Sequence, residues 1–265
     1  MASAAAVYGV EPGRTLNVTA GTGLDGERPE GAEISGSAEQ LWQDSLAEAA
    51  PCDLPDERYQ RLYDTALRTL VLCTPKDAYA GPFTYKRFWF RDAVFIAGAL
   101  CAAGLTGRAR RLIDRFPDRQ KRGGYFESQE GEWDSNGQVL WAMKRYVDYS
   151  GDTDVAGWED AIRKGAKWIR RNRLAREPGS LKSGLLPAGF SAEHFGPNDH
   201  YYWDDFWSVA GLRGASEMLG MLGREEDARD FSAEADDMMS CIEDSLRLVE
   251  RRTGRRAMPS SPHRS

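Results

Sequence analysis

Apolar and charged helical stretches alternate along most of this chain. From about residue 56, Tyr59, Leu62, Tyr63, Ala66, Leu67 and Leu70 recur at steps of three and four, the spacing of one helix face. Asp92 then opens AVFIAGALCAAG, a run apolar enough for a helix buried on most sides. Gly104 closes it where a left-handed backbone costs least. From about 107 the character changes: Arg108, Arg110, Arg111 and Arg115 interleave with Leu112, Ile113 and Phe116, an amphipathic pattern. The same pairing recurs twice. An apolar helix from about Gly137, with Val139, Leu140, Met143, Tyr146 and Val147, precedes a charged one from about 155 with Trp158, Ile162 and Ile169 on one stripe. After a long Pro-, Gly- and aromatic-rich loop (173–203), an apolar helix over 205–221 precedes a charged one from 224 to about 249.

This alternation predicts an all-α protein in two layers, the apolar helices touching protein on every side and the charged helices facing water. A four-helix bundle would make all helices similarly amphipathic. A helical-repeat solenoid would also give hairpins, but no exact repeat is visible. Residues 1–38, rich in Gly, Ala, Ser, Glu and Thr, predict a flexible lead or the remnant of a preceding domain. Residues 39–250 form the helical domain, and 251–265 read as a disordered basic tail.

Charge and motifs narrow the function. Lys+Arg number 35 against Asp+Glu 41, a net −6 that argues against a nucleic-acid partner. No stretch approaches the roughly 20 apolar residues of a membrane span. The start, MASAAAVYGV, lacks a secretory pattern, which leaves the Asn17-Val-Thr19 sequon without meaning. Cys52, Cys73, Cys101 and Cys241 are scattered, as free thiols in a reducing compartment would be, so a soluble cytoplasmic protein is expected. No metal and no cofactor is expected: there is no HExxH, Walker or dinucleotide pattern, and Glu193, His194 and His200 make no matched ligand set. Asp152-Thr-Asp154 lacks the later Gly and Glu of a calcium loop and reads as a turn.

The unusual residues sit at equivalent places. Phe83-Thr-Tyr-Lys-Arg-Phe-Trp-Phe-Arg91-Asp92 leads into the first apolar helix, Glu132-Trp133-Asp134-Ser135-Asn136 into the second, and His200-Tyr-Tyr-Trp203-Asp204-Asp205-Phe-Trp207 into the third. If those helices run parallel, the three clusters converge at one end. Aromatic rings suit the C–H face of a pyranose, and Asp and Arg can hold its hydroxyls bidentately. Cleaving a glycosidic bond needs one protonated and one ionised carboxyl, roughly 6.5–9.5 Å apart in an inverting enzyme. Crowded acids beside aromatics, as in Trp203-Asp204-Asp205, favour a raised pKa. The plainer reading makes Asp92, Asp134, Ser135 and Asp205 helix N-caps, and Arg91–Asp92 a structural ion pair.

Phe88-Trp89-Phe90-Arg91-Asp92 resembles the aromatic-x-Arg-Asp motif of glucoamylase-type and related six-hairpin glycosidases. Trp133-Asp134-Ser-Asn-Gly-Gln-Val-Leu-Trp is similar to the start of their second inner helix. Gly184-Leu-Leu-Pro187, followed by Tyr202-Trp203-Asp204-Asp205-Phe-Trp, is similar to the loop and Trp-acid-acid motif before their third. The resemblance covers roughly 56–249. It implies a partial (α/α)6 toroid of helical hairpins that binds an α-linked glucoside or oligosaccharide and, in full-length form, hydrolyses it with inversion. Arg91 and Asp92 would hold sugar hydroxyls, Trp89, Trp133, Tyr202 and Trp203 would form walls, and Asp134 would add a polar contact. Asp204 falls on the general acid, with Asp205 beside it touching substrate. Glucoamylases usually carry Glu at that position, whereas trehalase-like and processing-glucosidase relatives use Asp. The family's base is a Glu from the second half of the ring, so a truncated chain with self-associating open edges is expected. A non-catalytic carbohydrate-binding half-barrel and an isoprenoid cyclase toroid are the alternatives.

Overall fold

The structure, a computed structural model, describes residues 8–18, 37–82, 84–191 and 196–264. Most of the expected lead, Thr19 of the sequon, Phe83 and the Glu193–His194 pair therefore lie outside the described residues. The chain divides into two units, Met1–Leu41 and Trp42–Ser265. In the first, residues 8–18 are exposed, with a turn in which the Arg14 N–H donates to the Glu11 carbonyl (3.0 Å).

The described residues are all-α, with only isolated β-bridges. Eight helices follow in order: α1 (Ala38–Leu46), α2 (Glu57–Leu72), α3 (Phe90–Ala102), α4 (Thr106–Ile113), α5 (Asp134–Ser150), α6 (Glu159–Asn172), α7 (Tyr202–Met221) and α8 (Glu225–Thr253). None is long and apolar enough to cross a membrane. The expected hairpins are α3–α4, α5–α6 and α7–α8. The apolar helices α5 and α7 each begin three residues before the predicted start, which puts the aspartates inside the helices.

Side-chain contacts fix the directions. Lys144 of α5 pairs with Glu217 of α7 (2.9 Å), while Gly137 lies against Trp207, so α5 and α7 run parallel. Arg163 of α6 pairs with Asp227 (2.8 Å) and Arg173, just after it, with Glu234, so α6 and α8 also run parallel. Within the α7–α8 hairpin the direction reverses: the Tyr202 hydroxyl meets Ser245 Oγ (2.7 Å), and Ser216 Oγ donates to the Ala228 carbonyl (2.7 Å). Parallel inner helices with parallel outer partners are what the sequence alternation predicts. Burial follows suit. Asp134–Leu140 of α5 is buried without interruption, whereas α6 buries one stripe, including Ile162, Ala166 and Ile169.

α5 and α7 meet backbone to backbone. A methyl group on Gly211 would lie 2.6 Å from the Cα and carbonyl oxygen of Gly137, so only glycine fits this crossing. Around it one apolar core runs through the inner layer and the facing sides of α4, α6 and α8. It includes Phe90 packed edge-on against Phe116 and Phe126, both at 5.4 Å.

Two sequence expectations change. The α2 stripe exists as a helix, yet Tyr59 and Leu62 are exposed and only Leu67 is buried, because α2 has little beyond α3 to pack on. The disordered basic tail over 251–265 is corrected. Arg251–Thr253 finish α8, Gly254 turns the chain with a left-handed φ of 68°, and the residues up to 264 fold back. The Tyr202 N–H donates to the Ser260 carbonyl (3.1 Å), Ser261 Oγ to Asp199 (2.6 Å) and Arg264 Nε to the same carboxylate (3.2 Å). Asp199 is thus the anchor that orders this segment.

Candidate functional site

The N-cap residues of α3, α5 and α7 are Trp89, Trp133 and Tyr201, and none forms a capping hydrogen bond through its own side chain; the first N–H of α3, that of Phe90, donates instead to Ser128 Oγ (2.7 Å). The capping roles considered for Asp92, Asp134, Ser135 and Asp205 are therefore not realised. These residues sit in the first turns, where the helix dipole favours negative charge. The three turns meet. Arg91 Nη1 of α3 lies 3.6 Å from Glu132 and 3.7 Å from Asp134 at the start of α5. Asp134 Oδ2 accepts hydrogen bonds from Trp203 Nε1 of α7 (2.8 Å) and from Gln138 Nε2 (3.0 Å). Arg91 also lies over the Trp89 ring, 5.7 Å from its centre.

The Arg91–Asp92 ion pair of the plainer reading does not form. Successive side chains on a helix diverge, and Arg91 turns to Glu132 and Asp134. Among the described residues no ion pair or hydrogen bond joins Asp92 to the cluster. Trp133 packs with Tyr125 and Trp168 (5.6 and 5.7 Å) beneath Gly189. Tyr202 is fully buried with its hydroxyl tied to Ser245, and Trp203 is 41% exposed. Asn136 is structural: its amide joins the Phe126 N–H, the Gly124 carbonyl and the Gly165 carbonyl. His200 Nδ1 faces the Leu186 carbonyl (2.9 Å), and Asp152 closes its turn on the Asp154 N–H (3.0 Å).

Asp204 is buried, 4% exposed, and burial lifts its carboxyl well above the usual range. The negative charges of Asp134, Asp205 and Glu132 add to this, and Arg91 opposes it. Burial raises Asp205 to about 7, against the Leu186 N–H that donates to its Oδ1 (2.8 Å) and the charge of Arg173. Burial likewise raises Glu132, opposed by Arg91, and Asp134, opposed first by the Trp203 N–H. Arg91 lies beside Glu132 and Asp134, while the charge of Arg173 acts on Asp205. Arg91 and the two donors favour the ionised form of Asp134, whereas burial and the neighbouring carboxylates favour the protonated form of Asp204.

Six buried side-chain polar atoms among the described residues lack a hydrogen-bond partner: Arg91 Nη1, Trp133 Nε1, Gln138 Oε1, Asp204 Oδ2, Asp205 Oδ2 and Ser208 Oγ. Arg91 has only its longer ion pairs. All six belong to the first turns of α3, α5 and α7 or stand directly beside them. Each unpaired group costs about 1–3 kcal/mol. Beside Asp204 opens a pocket of about 500 Å³ whose walls include Trp203, Phe206, Trp207, Ala210, Met258 and Pro259. Trp207 stands edge-on to Trp203 (5.7 Å), Trp141 (5.2 Å) and Phe95 (5.9 Å). Among the described residues no group of His, Cys, Asp and Glu is arranged to hold a metal ion.

The structure thus brings together Arg91, Asp134, Trp203 and Asp204, with Trp89 and Asp205 beside them, and leaves Asp92 apart. Sequence reasoning missed Glu132 as the partner of Arg91, Gln138 as the second donor to Asp134, and the contribution of Met258 and Pro259. Gln138 lies one helical turn beyond Asp134, a legible signal; the return of the tail to α7 has none. No family model, curated protein or solved structure matches this chain.

Proposed function

We propose that the three hairpins form part of an (α/α)6 glycosidase-type toroid that binds an α-linked glucoside and that Asp204 protonates the glycosidic oxygen. The unpartnered buried polar atoms at the starts of α3, α5 and α7, among them Asp204 Oδ2 on a carboxyl raised by burial, support this reading. In this reading Arg91 and Asp134 hold sugar hydroxyls and Trp203 stacks on the ring. As the C–O bond breaks, the Asp204 proton passes to the leaving oxygen. Water adds to the anomeric carbon from the opposite face and loses its proton to a carboxylate, the inverting course. The proposal assigns the proton donor to this chain; in the resembled family the base is a Glu from further round the ring. Buried free thiols at Cys73, Cys101 and Cys241 support a reducing, cytoplasmic setting.

One observation favours a second reading: an aromatic-lined pocket beside a buried aspartate, its carboxyl raised by that burial, also suits proton-initiated cyclisation of an isoprenoid. Intrinsic Trp fluorescence separates the two. Saturable quenching by maltotriose with no response to geranylgeranyl diphosphate is expected; the reverse pattern replaces the glycosidase reading with the cyclase one. In a full-length form that supplies the base, Asp204→Asn should lower hydrolysis of an α-glucoside by at least about 100-fold while leaving sugar affinity nearly unchanged. Sugar binding with no turnover in that full-length form would make this a carbohydrate-binding module instead.

A further inference from the structure

We propose that the pocket beside Asp204 is a subsite for an apolar, ring-bearing leaving group, so that the substrates include α-glucosides of aromatic or apolar alcohols. This rests on the glycosidase reading above and names its substrate class. Two residues belong both to the polar cluster and to the pocket. Trp203 gives its Nε1–H to Asp134 while its ring forms pocket wall, and Asp204, whose Oδ2 is buried without a partner, lines the pocket too. Arg91, Glu132 and Asp134 do not line it. A sugar held by Arg91 and Asp134, with its glycosidic oxygen at Asp204, therefore directs its leaving group into the pocket.

The walls suit an apolar group. Trp203, Phe206, Trp207, Ala210, Met258 and Pro259 offer ring faces and hydrocarbon, and Asp204 is the one ionisable carboxyl among the lining residues. Tyr201 and Tyr202 also line the pocket, but their hydroxyls are committed, to the Pro197 carbonyl (3.0 Å) and to Ser245 (2.7 Å). A second sugar here would bury several hydroxyls against carbon, which disfavours an oligosaccharide as the better ligand. Met258 and Pro259 reach the pocket because Asp199 pins the returning segment through Ser261 and Arg264. A volume of about 500 Å³ falls within the range of small-molecule sites.

The test compares methyl α-glucoside with 2-naphthyl α-glucoside by isothermal titration of the whole chain, with maltotriose as a third ligand. The naphthyl glucoside should bind at least about tenfold more tightly than the methyl one. In Ala210→Phe, whose added ring occupies the pocket, the two should bind alike, and Ala210→Leu, a smaller filler that keeps the fold if the Phe variant does not, should give an intermediate ratio. Equal affinities in the parent protein, or a ratio that neither substitution alters, overturns the leaving-group subsite and leaves the sugar reading intact. Failure of all three ligands to bind instead removes the glycosidase reading and this inference with it.

Discussion

Replacing Gly211 by Ala is expected to lower the unfolding free energy by about 1–3 kcal/mol, whereas Gly98→Ala should raise it by about 0.5–1 kcal/mol. The two substitutions remove the same backbone freedom and add the same methyl group, each within an inner helix. Helix propensity alone therefore predicts a gain at both sites. At Gly98 the methyl meets nothing within 4 Å, so the gain survives. At Gly211 it falls 2.6 Å from the Cα and carbonyl oxygen of Gly137. Those are backbone atoms of a helix buried without interruption from Asp134 to Leu140, and they cannot rotate aside. Relief requires α5 and α7 to separate, which also loosens Asp134 from Trp203. Urea midpoints of the three proteins decide the matter. Similar gains at both sites would show that the α5–α7 crossing is looser than described.

That crossing also shows which part of the fold a sequence displays. The contrast between AVFIAGALCAAG and the arginine-rich stretch after it survives any error in helix ends, because burial on several sides leaves a compositional trace. The layers and the hairpin order were therefore legible. The uncovered face of α2 was not, since a helix stripe reports a preference for contact and not the presence of a partner. The return of residues 254–264 was equally hidden: it depends on Asp199 meeting Ser261 and Arg264, a long-range set of bonds with no local pattern. At the site, three clusters at equivalent helix starts predicted convergence, and Arg91, Asp134, Trp203 and Asp204 do converge. Asp92 does not join them, because adjacency in sequence places it on another face of α3 from Arg91. Glu132 takes that part from a position before α5, where a side chain is free of helical spacing.

Between about pH 4 and 7 the protein should lose stability as pH rises, and Asp205→Asn should remove much of that loss. Asp205 titrates near 7 in the folded chain and near 3.8 when exposed, so the native state binds its proton more tightly than the unfolded state does. The stabilisation is complete below the unfolded value and declines as pH climbs through the folded one. The interval corresponds to about 4 kcal/mol, undiminished by solvent screening because the group is wholly buried. Asn keeps an Oδ1 acceptor for the Leu186 N–H and carries no charge to desolvate. The difference in unfolding free energy, variant minus parent, should therefore be near zero at pH 4 and reach about 4 kcal/mol by pH 7.5. Asp204, raised by burial and by its carboxylate neighbours, keeps some slope in the variant with the same sign. The paired carboxyls Asp199 and Asp237 are held below their usual values, so their contribution is lost on the acid side and leaves this window to the buried cluster. Parallel pH profiles for parent and variant would mean that Asp205 is ionised at neutral pH, with Arg173 compensating its burial. In that case the proton available for chemistry would rest on Asp204 alone.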